Sequence, residues 1–204
     1  MITKSQLRSE LRAARRALTP RARDLAARAV ARHVGATRWL APGKRIGLYS
    51  ALPDELDTTP LIALALARGC EVFLPRIVSL RARRMRFVAA AGTHRLHRFG
   101  MHEPEGFDSL DARFLDTIFI PAVALDRHGA RLGLGAGFYD RTLAFRRTRT
   151  HWRGPRLVGV AYDFQVVPQV PATLTDIHMD LIVTERGIDE LLAHENRTVD
   201  LRSR

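Results

Sequence analysis

At 204 residues, with 46% hydrophobic and 26% charged side chains, the chain is long enough to bury a substantial core and too apolar to remain disordered. Its one cysteine, Cys70, excludes an internal disulfide and a multi-cysteine zinc site. A net charge of +12 suits a protein that meets anions, which leaves nucleic acid and small anionic ligands to be told apart.

In chain order, the periodicity predicts a helical start and an α/β body. Leu7, Leu11, Ala14 and Leu18 recur at three- and four-residue spacing, which gives an amphipathic helix over 3–18 with Thr3 as N-cap. Thr19 followed by Pro20 opens a second helix reaching about Trp39, and "APGK" ends it. "RIGLYS" reads as a buried strand, "TTPLIALALARG" as a helix opened by Pro60 and closed by Gly69, and "CEVFLP" as the next strand. Together they make a βαβ unit. "RMRFVAA" adds a strand, whereas 92–112 has no clear period and is expected as a long loop with extended pieces. "TIFIPA", "RLVGVAY" and "DLIVTE" supply three further strands, with a helix from about Phe138 to Thr148 between the first two. The expected fold is α/β: a largely parallel sheet flanked by helices, with the two N-terminal helices packed on it, in one domain over 1–204.

No apolar run is long enough to cross a bilayer, and "MITKSQLRSELRAARRAL" lacks the apolar centre of a secretory signal, so a cytoplasmic protein, taken as a monomer, is expected. Lys4 and Lys44 are the only lysines among 33 basic residues. The arginines are spread along the chain, with local clusters in "RARRMR", "RLHR" and "RRTR". Solvated faces and helix ends account for such clusters, and no basic strand interleaved with base-stacking aromatics occurs. Attraction for small anions is therefore the more economical expectation than a nucleic-acid partner.

One stretch asks for a ligand. "GARLGLGAGFYDR" (129–141) follows the apolar run "TIFIPAVAL" and holds four glycines where a plain strand-to-helix turn needs one or two. In an open α/β sheet, ligands gather beyond the carboxyl ends of strands, where this loop emerges. The spacing of Gly133, Gly135 and Gly137 matches neither the dinucleotide fingerprint nor the Walker pattern. Glycines permit positive φ and let backbone N–H groups face an anion, and Arg131 stands beside them as a phosphate partner. On spacing alone, an anion cradle and a long structural turn are equally good readings. Asp140, in the first turn of the following helix, suits the helix dipole and also suits Mg²⁺ held against phosphate oxygens, which takes one or two carboxylates. "ATLTDIHMD" offers Asp176 and Asp180 as second ligands, the latter equally a strand-start residue.

"RLGLGAGFYDR", with "DTIFIPAVALDRHG" before it, resembles the signature of the 5-formyltetrahydrofolate cyclo-ligases, also called methenyltetrahydrofolate synthetases. "KSQLRSELRAARR", "YSALPDELDT", "FLPRI", "MHEPEG", "VGVAYDFQVV" and "TDIHMDLIVTE" agree in order, so the resemblance covers nearly the whole chain. It departs at Leu134, Ala136, Phe138 and Thr175, where Tyr or Arg, Gly, Tyr and His are the more usual residues.

The resemblance implies cyclisation of 5-formyltetrahydrofolate to 5,10-methenyltetrahydrofolate with ATP as co-substrate and Mg²⁺, through a phosphorylated formyl oxygen. It implies that Lys4 and Arg8, one helical turn apart, bind ATP phosphates, with Arg12 joining them or pairing at the surface. Arg131 and the loop Gly133, Leu134, Gly135, Ala136, Gly137, Phe138 and Tyr139 would hold phosphates and part of the folate. Arg131 and Asp140 would be catalytic, and Asp140 and Asp176 would ligate the metal. Leu52 and Asp57 match the substrate-contacting segment, with Glu55 the competing acid for pterin N–H groups and helix capping the other use of either acid. His102 and Glu103 in "MHEPEG" are ordinary loop residues as readily as site residues. The competing class is a basic RNA- or ribosome-associated binding protein on the same scaffold without the activity.

Overall fold

Thr3 caps the first helix as its position predicts. Its hydroxyl accepts from Gln6 N at 3.2 Å, and the Gln6 side chain accepts in return from Thr3 N at 2.9 Å, a reciprocal cap that satisfies two orphan donors. The structure is a computed structural model and describes residues 2–90, 94–96, 102–104, 108–148 and 154–191. Its helices are α1 (Lys4–Ala17), α2 (Pro20–Gly35), α3 (Thr59–Ala67) and α4 (Phe138–Thr142). The strands are β1 (Arg45–Gly47), β2 (Glu71–Ser79), β3 (Arg84–Ala89), β4 (His94–Leu96), β5 (His102–Pro104), β6 (Ser109–Leu110), β7 (Thr117–Pro121), β8 (Ala124–Leu125), β9 (Arg131–Leu132), β10 (Arg156–Val160), β11 (Leu181–Thr184) and β12 (Gly187–Glu190).

Among the described residues, eight strands form one sheet in the order β12-β11-β10-β7-β1-β2-β3-β6. Its centre is parallel, with Ile46 of β1 opposite Val72 of β2 and Thr117 of β7. β12, β3 and β6 are antiparallel additions at the two sides. The period-two alternation sorts the core. Phe119, Val158 and Val160 face α2 and α3 with Val30, Val34, Leu61 and Ala65. Ile118, Ile120 and Leu157 face the opposite way, toward Leu143, Met179 and Ile182. Both N-terminal helices pack on this framework, but differently. α2 covers a face of the sheet, whereas α1 lays Leu7 and Leu11 on Val123, Ala124 and Leu132 of the small β8–β9 hairpin, beyond the end of β7.

Two elements differ from the expected ones. The second helix ends at Gly35 and reaches Trp39 only through a separate 3₁₀ turn, Arg38–Leu40, capped by Thr37. The helix expected over 138–148 is a five-residue turn followed by the 3₁₀ segment Ala144–Arg147, so its dipole is that of a single turn. The region 92–112 carries extended pieces as expected, the short strands β4, β5 and β6, with parts of "MHEPEG" outside the described residues.

The strand order positions the site. β1 leads through α3 to β2 on one side, while β7 leads through α4 to β10 on the other, and the two connections lie on opposite faces. Such a reversal opens a crevice beyond the carboxyl ends of β1 and β7.

Candidate active site

The hairpin after β7 is set by a buried acid. Asp126, 2% exposed, accepts from His128 N at 2.9 Å and Ala130 N at 3.0 Å through Oδ1, and from Val170 N at 2.8 Å through Oδ2. This fixes the turn that delivers Arg131 into the crevice. The Arg131 guanidinium is buried, lies 5.5 Å over the Tyr139 ring, and donates from Nη2 to both Asp140 oxygens at 3.2 and 3.1 Å. It passes so close beneath the loop that a Cβ on Gly133 would stand 2.8 Å from its Nη1. Gly137 takes φ +71°, a left-handed value that other residues occupy at a cost of about 1–2 kcal/mol. The glycines therefore serve both close approach and chain reversal.

From the other side, α1 presents Lys4 and Arg8 to the same loop. Arg8 Nε donates to Gly133 O at 2.8 Å, and its Cζ and Nη2 lie 3.8 Å from where a Cβ on Gly135 would stand. Lys4 Nζ donates to Asp176 Oδ2 at 3.0 Å, and Thr173 N reaches the same oxygen at 2.8 Å. Partial burial pushes the Asp176 carboxyl up, but the Lys4 bond and charge and the Thr173 bond outweigh it and hold it below the usual range. Asp140 Oδ1 also accepts from Ile177 N at 3.1 Å, which ties the loop to the segment carrying Asp176.

These groups line a cleft of about 520 Å³. Its other wall is largely apolar, made by Tyr49, Leu52, Pro75, Ile77, Met85 and Tyr139. Glu55 enters that wall, buried, with Oε2 accepting from Leu52 N at 3.0 Å. Burial pushes its carboxyl above the usual range, against the Leu52 bond and the charges of Arg15 and Arg12. Such a cleft, apolar on one wall and cationic on the other, suits a flat heteroaromatic molecule beside a polyanion.

The structure brings together Lys4, Arg8, Leu52, Glu55, Arg131, every residue from Gly133 to Phe138, Tyr139, Asp140 and Asp176. Asp57 does not line the cleft. It is exposed, and its Oδ1 accepts from Thr59 N at 2.9 Å and Thr59 Oγ1 at 2.7 Å, a local turn ahead of α3, whose N-cap is Thr58. Asp180 also stands apart, accepting from Arg146 Nη2 and from Leu157 N between β10 and β11. Arg12 turns to Asp54, with Nε 3.6 Å from Oδ2. The side chains of His102 and Glu103 lie outside the described residues.

Among the described residues no group of three or more His, Cys, Asp or Glu is assembled to hold a metal alone. Asp140 and Asp176 flank the cleft as a pair, which fits Mg²⁺ if phosphate oxygens and water complete its shell. Sequence reasoning missed Asp126, Tyr49, Met85 and the pair of Arg15 with Asp54. Arg15 falls four residues after Leu11 on the apolar stripe, and that placement is the signal that it is buried.

A profile of the 5-formyltetrahydrofolate cyclo-ligase family matches residues 1–185. A 5-formyltetrahydrofolate cyclo-ligase of Escherichia coli K12 is 33% identical over 184 residues, 88% of this chain and 99% of that one. One from Mycolicibacterium smegmatis is 31% identical, covering 91% of this chain and 96% of its own. The solved structure of Aquifex aeolicus 5,10-methenyltetrahydrofolate synthetase superposes with a TM-score of 0.78 at 29% identity, over 97% of this chain and all of that one. A Mycoplasma pneumoniae 5,10-methenyltetrahydrofolate synthetase shares the fold, with a TM-score of 0.71 at 21% identity over 90% of this chain and 99% of its own.

Proposed function

The chain belongs to the 5-formyltetrahydrofolate cyclo-ligase family and is an enzyme that closes 5-formyltetrahydrofolate to 5,10-methenyltetrahydrofolate; on that premise we propose that it uses ATP, with Mg²⁺, and passes through a phosphorylated formyl oxygen. The oxygen of the N5-formyl group is a poor leaving group. Transfer of the γ-phosphoryl group forms a bond to that oxygen and breaks the bond to ADP. N10 then attacks the activated carbon and gives up its proton, and cleavage of the C–O bond releases phosphate. No protein nucleophile is needed, so catalysis is positioning and charge stabilisation.

The observation that carries this reading is the glycine loop, flanked by Lys4 and Arg8 on one side and the Arg131–Asp140 pair on the other, beside an apolar wall. Lys4 and Arg8 bind phosphates, and Arg131 stabilises the charge of the transferring group. Asp140 and Asp176 are the residues that would hold Mg²⁺, whose positive charge would offset the negative charge of the phosphates. Leu52, Glu55, Tyr139 and the loop from Leu134 to Phe138 hold the folate, with Glu55 accepting from pterin N–H donors. We place the enzyme in the cytoplasm as a monomer.

The test is formation of the methenyltetrahydrofolate chromophore, with ATP and Mg²⁺ omitted in turn and ADP followed in parallel. Product that requires both, with one ADP per product, is expected. Product without nucleotide, or ATP cleavage without product, would overturn the reading.

A further inference from the structure

Beside the main cleft lies a second hollow of about 500 Å³, and four arginines border it: Arg81 and Arg83 from the β2–β3 turn, and Arg141 and Arg147 from the segment after the glycine loop. It shares Asp140, Asp176 and Gly137 with the main cleft. Arg147 is pinned there by donating to Thr175 O, next to Asp176. Arg81, Arg83 and Arg141 are exposed and make no ion pair among the described residues.

Two details single out Arg83. It has φ +51°, the one non-glycine residue with positive φ among those described, in a turn position where glycine or asparagine would sit with less strain. Its Nη1 also lies 3.6 Å from the point where a Cβ on Gly137 would be. The glycine loop therefore has Arg8 against Gly135 on one flank and Arg83 against Gly137 on the other. Leu134 and Ala136 bring no charge to the loop itself.

We propose that the β2–β3 turn, through Arg83 and Arg81, is a second cationic wall of the nucleotide site that grips the terminal phosphates of ATP across the glycine loop from Lys4 and Arg8. This rests on the ATP reading above. The other polyanion of the reaction class is a folate's γ-linked glutamate tail. The hollow suits it less, because Asp140 and Asp176 repel carboxylates, whereas a polyphosphate arrives with its own divalent cation. Guanidinium groups in turn match phosphate oxygens two N–H groups at a time.

Arg83→Gly is the informative variant, since glycine keeps the left-handed turn while removing the charge. Its melting temperature should equal or exceed that of the wild type. Binding of a β,γ-methylene analogue of ATP with magnesium chloride, without folate, should weaken about tenfold, with a smaller loss for ADP. Binding of 5-formyltetrahydrofolate as monoglutamate and as triglutamate should be unchanged. Unaltered analogue affinity would overturn the proposal, as would a loss confined to the triglutamate, which would assign the arginines to the tail. If the wild type binds no nucleotide, the ATP reading falls and this proposal with it, an outcome distinct from the other two.

Discussion

Arg131 and Asp140 hold each other in place through two bonds of 3.2 and 3.1 Å, and each also faces the cleft. Arg131→Ala and Asp140→Ala should each lower turnover by about a hundredfold or more with unchanged far-ultraviolet circular dichroism; near-normal turnover in both would remove them from the chemistry. Glu55 carries a separate, thermodynamic signature. Its carboxyl is pushed up from an ordinary 4.5 by burial, so over the interval above 4.5 the native state binds more protons than the unfolded chain. Stability therefore falls as pH rises through that interval. Asp176, held low despite burial by Lys4 and Thr173, has the opposite sign: its contribution is present above the ordinary carboxylate range and is lost as pH falls through its depressed value. Urea unfolding as a function of pH should show the fall on the alkaline side of 4.5 flattened in Glu55→Gln, and a slope that persists there would assign it to another group.

At the scale of elements, α1 acts as a rod with two ends. Its first turns bring Lys4 and Arg8 to the glycine loop. Near its last turn Arg15, 1% exposed, donates to Asp54 Oδ2 at 2.8 Å in the loop that carries Leu52 and Glu55. Arg23 of α2 reinforces this junction by donating to Pro53 O and to Arg15 O. One helix thus sets the spacing between the cationic side of the cleft and its apolar side. Removing a partner from a buried pair leaves the other charge uncompensated, so Asp54→Ala should cost about 3–5 kcal/mol of stability, measured as a lower urea midpoint at constant slope. A shift below about 1 kcal/mol would show that water reaches Arg15 readily. The shortness of α4 belongs to the same scale. With one turn in place of three, positive potential at the loop comes from arginine side chains more than from a helix dipole.

For the whole molecule, the net charge of +12 already sets 21 acids against 33 basic residues, so ion pairs do not lower it; they decide which arginines stand free at the surface. Arg15, Arg131 and Arg146 have largely buried side chains paired with Asp54, Asp140 and Asp180, and others pair at the surface. RNA should accordingly bind no tighter than about 1 µM at physiological salt; tight binding with a steep salt slope in filter retention would instead restore the RNA-associated reading. The order of elements, the parallel centre of the sheet and the place of the glycine loop were legible in the chain, because hydrophobic period, caps and strand-to-loop transitions are local signals. The ordered family segments added the chemistry. What the chain by itself could not decide was which acids face the cleft. Asp57 and Glu55 are two residues apart, and only the turn after β1 ties one to Thr59 at the start of α3 and buries the other against Leu52 N. Nor could it bring Lys4 beside Asp176 or Arg83 against Gly137, since these contacts join segments far apart in sequence and arise from the reversal of strand order between β1 and β7. Local propensity depends on neighbours in the chain, whereas a site of this kind depends on neighbours in space, and those are set only when the sheet closes its order.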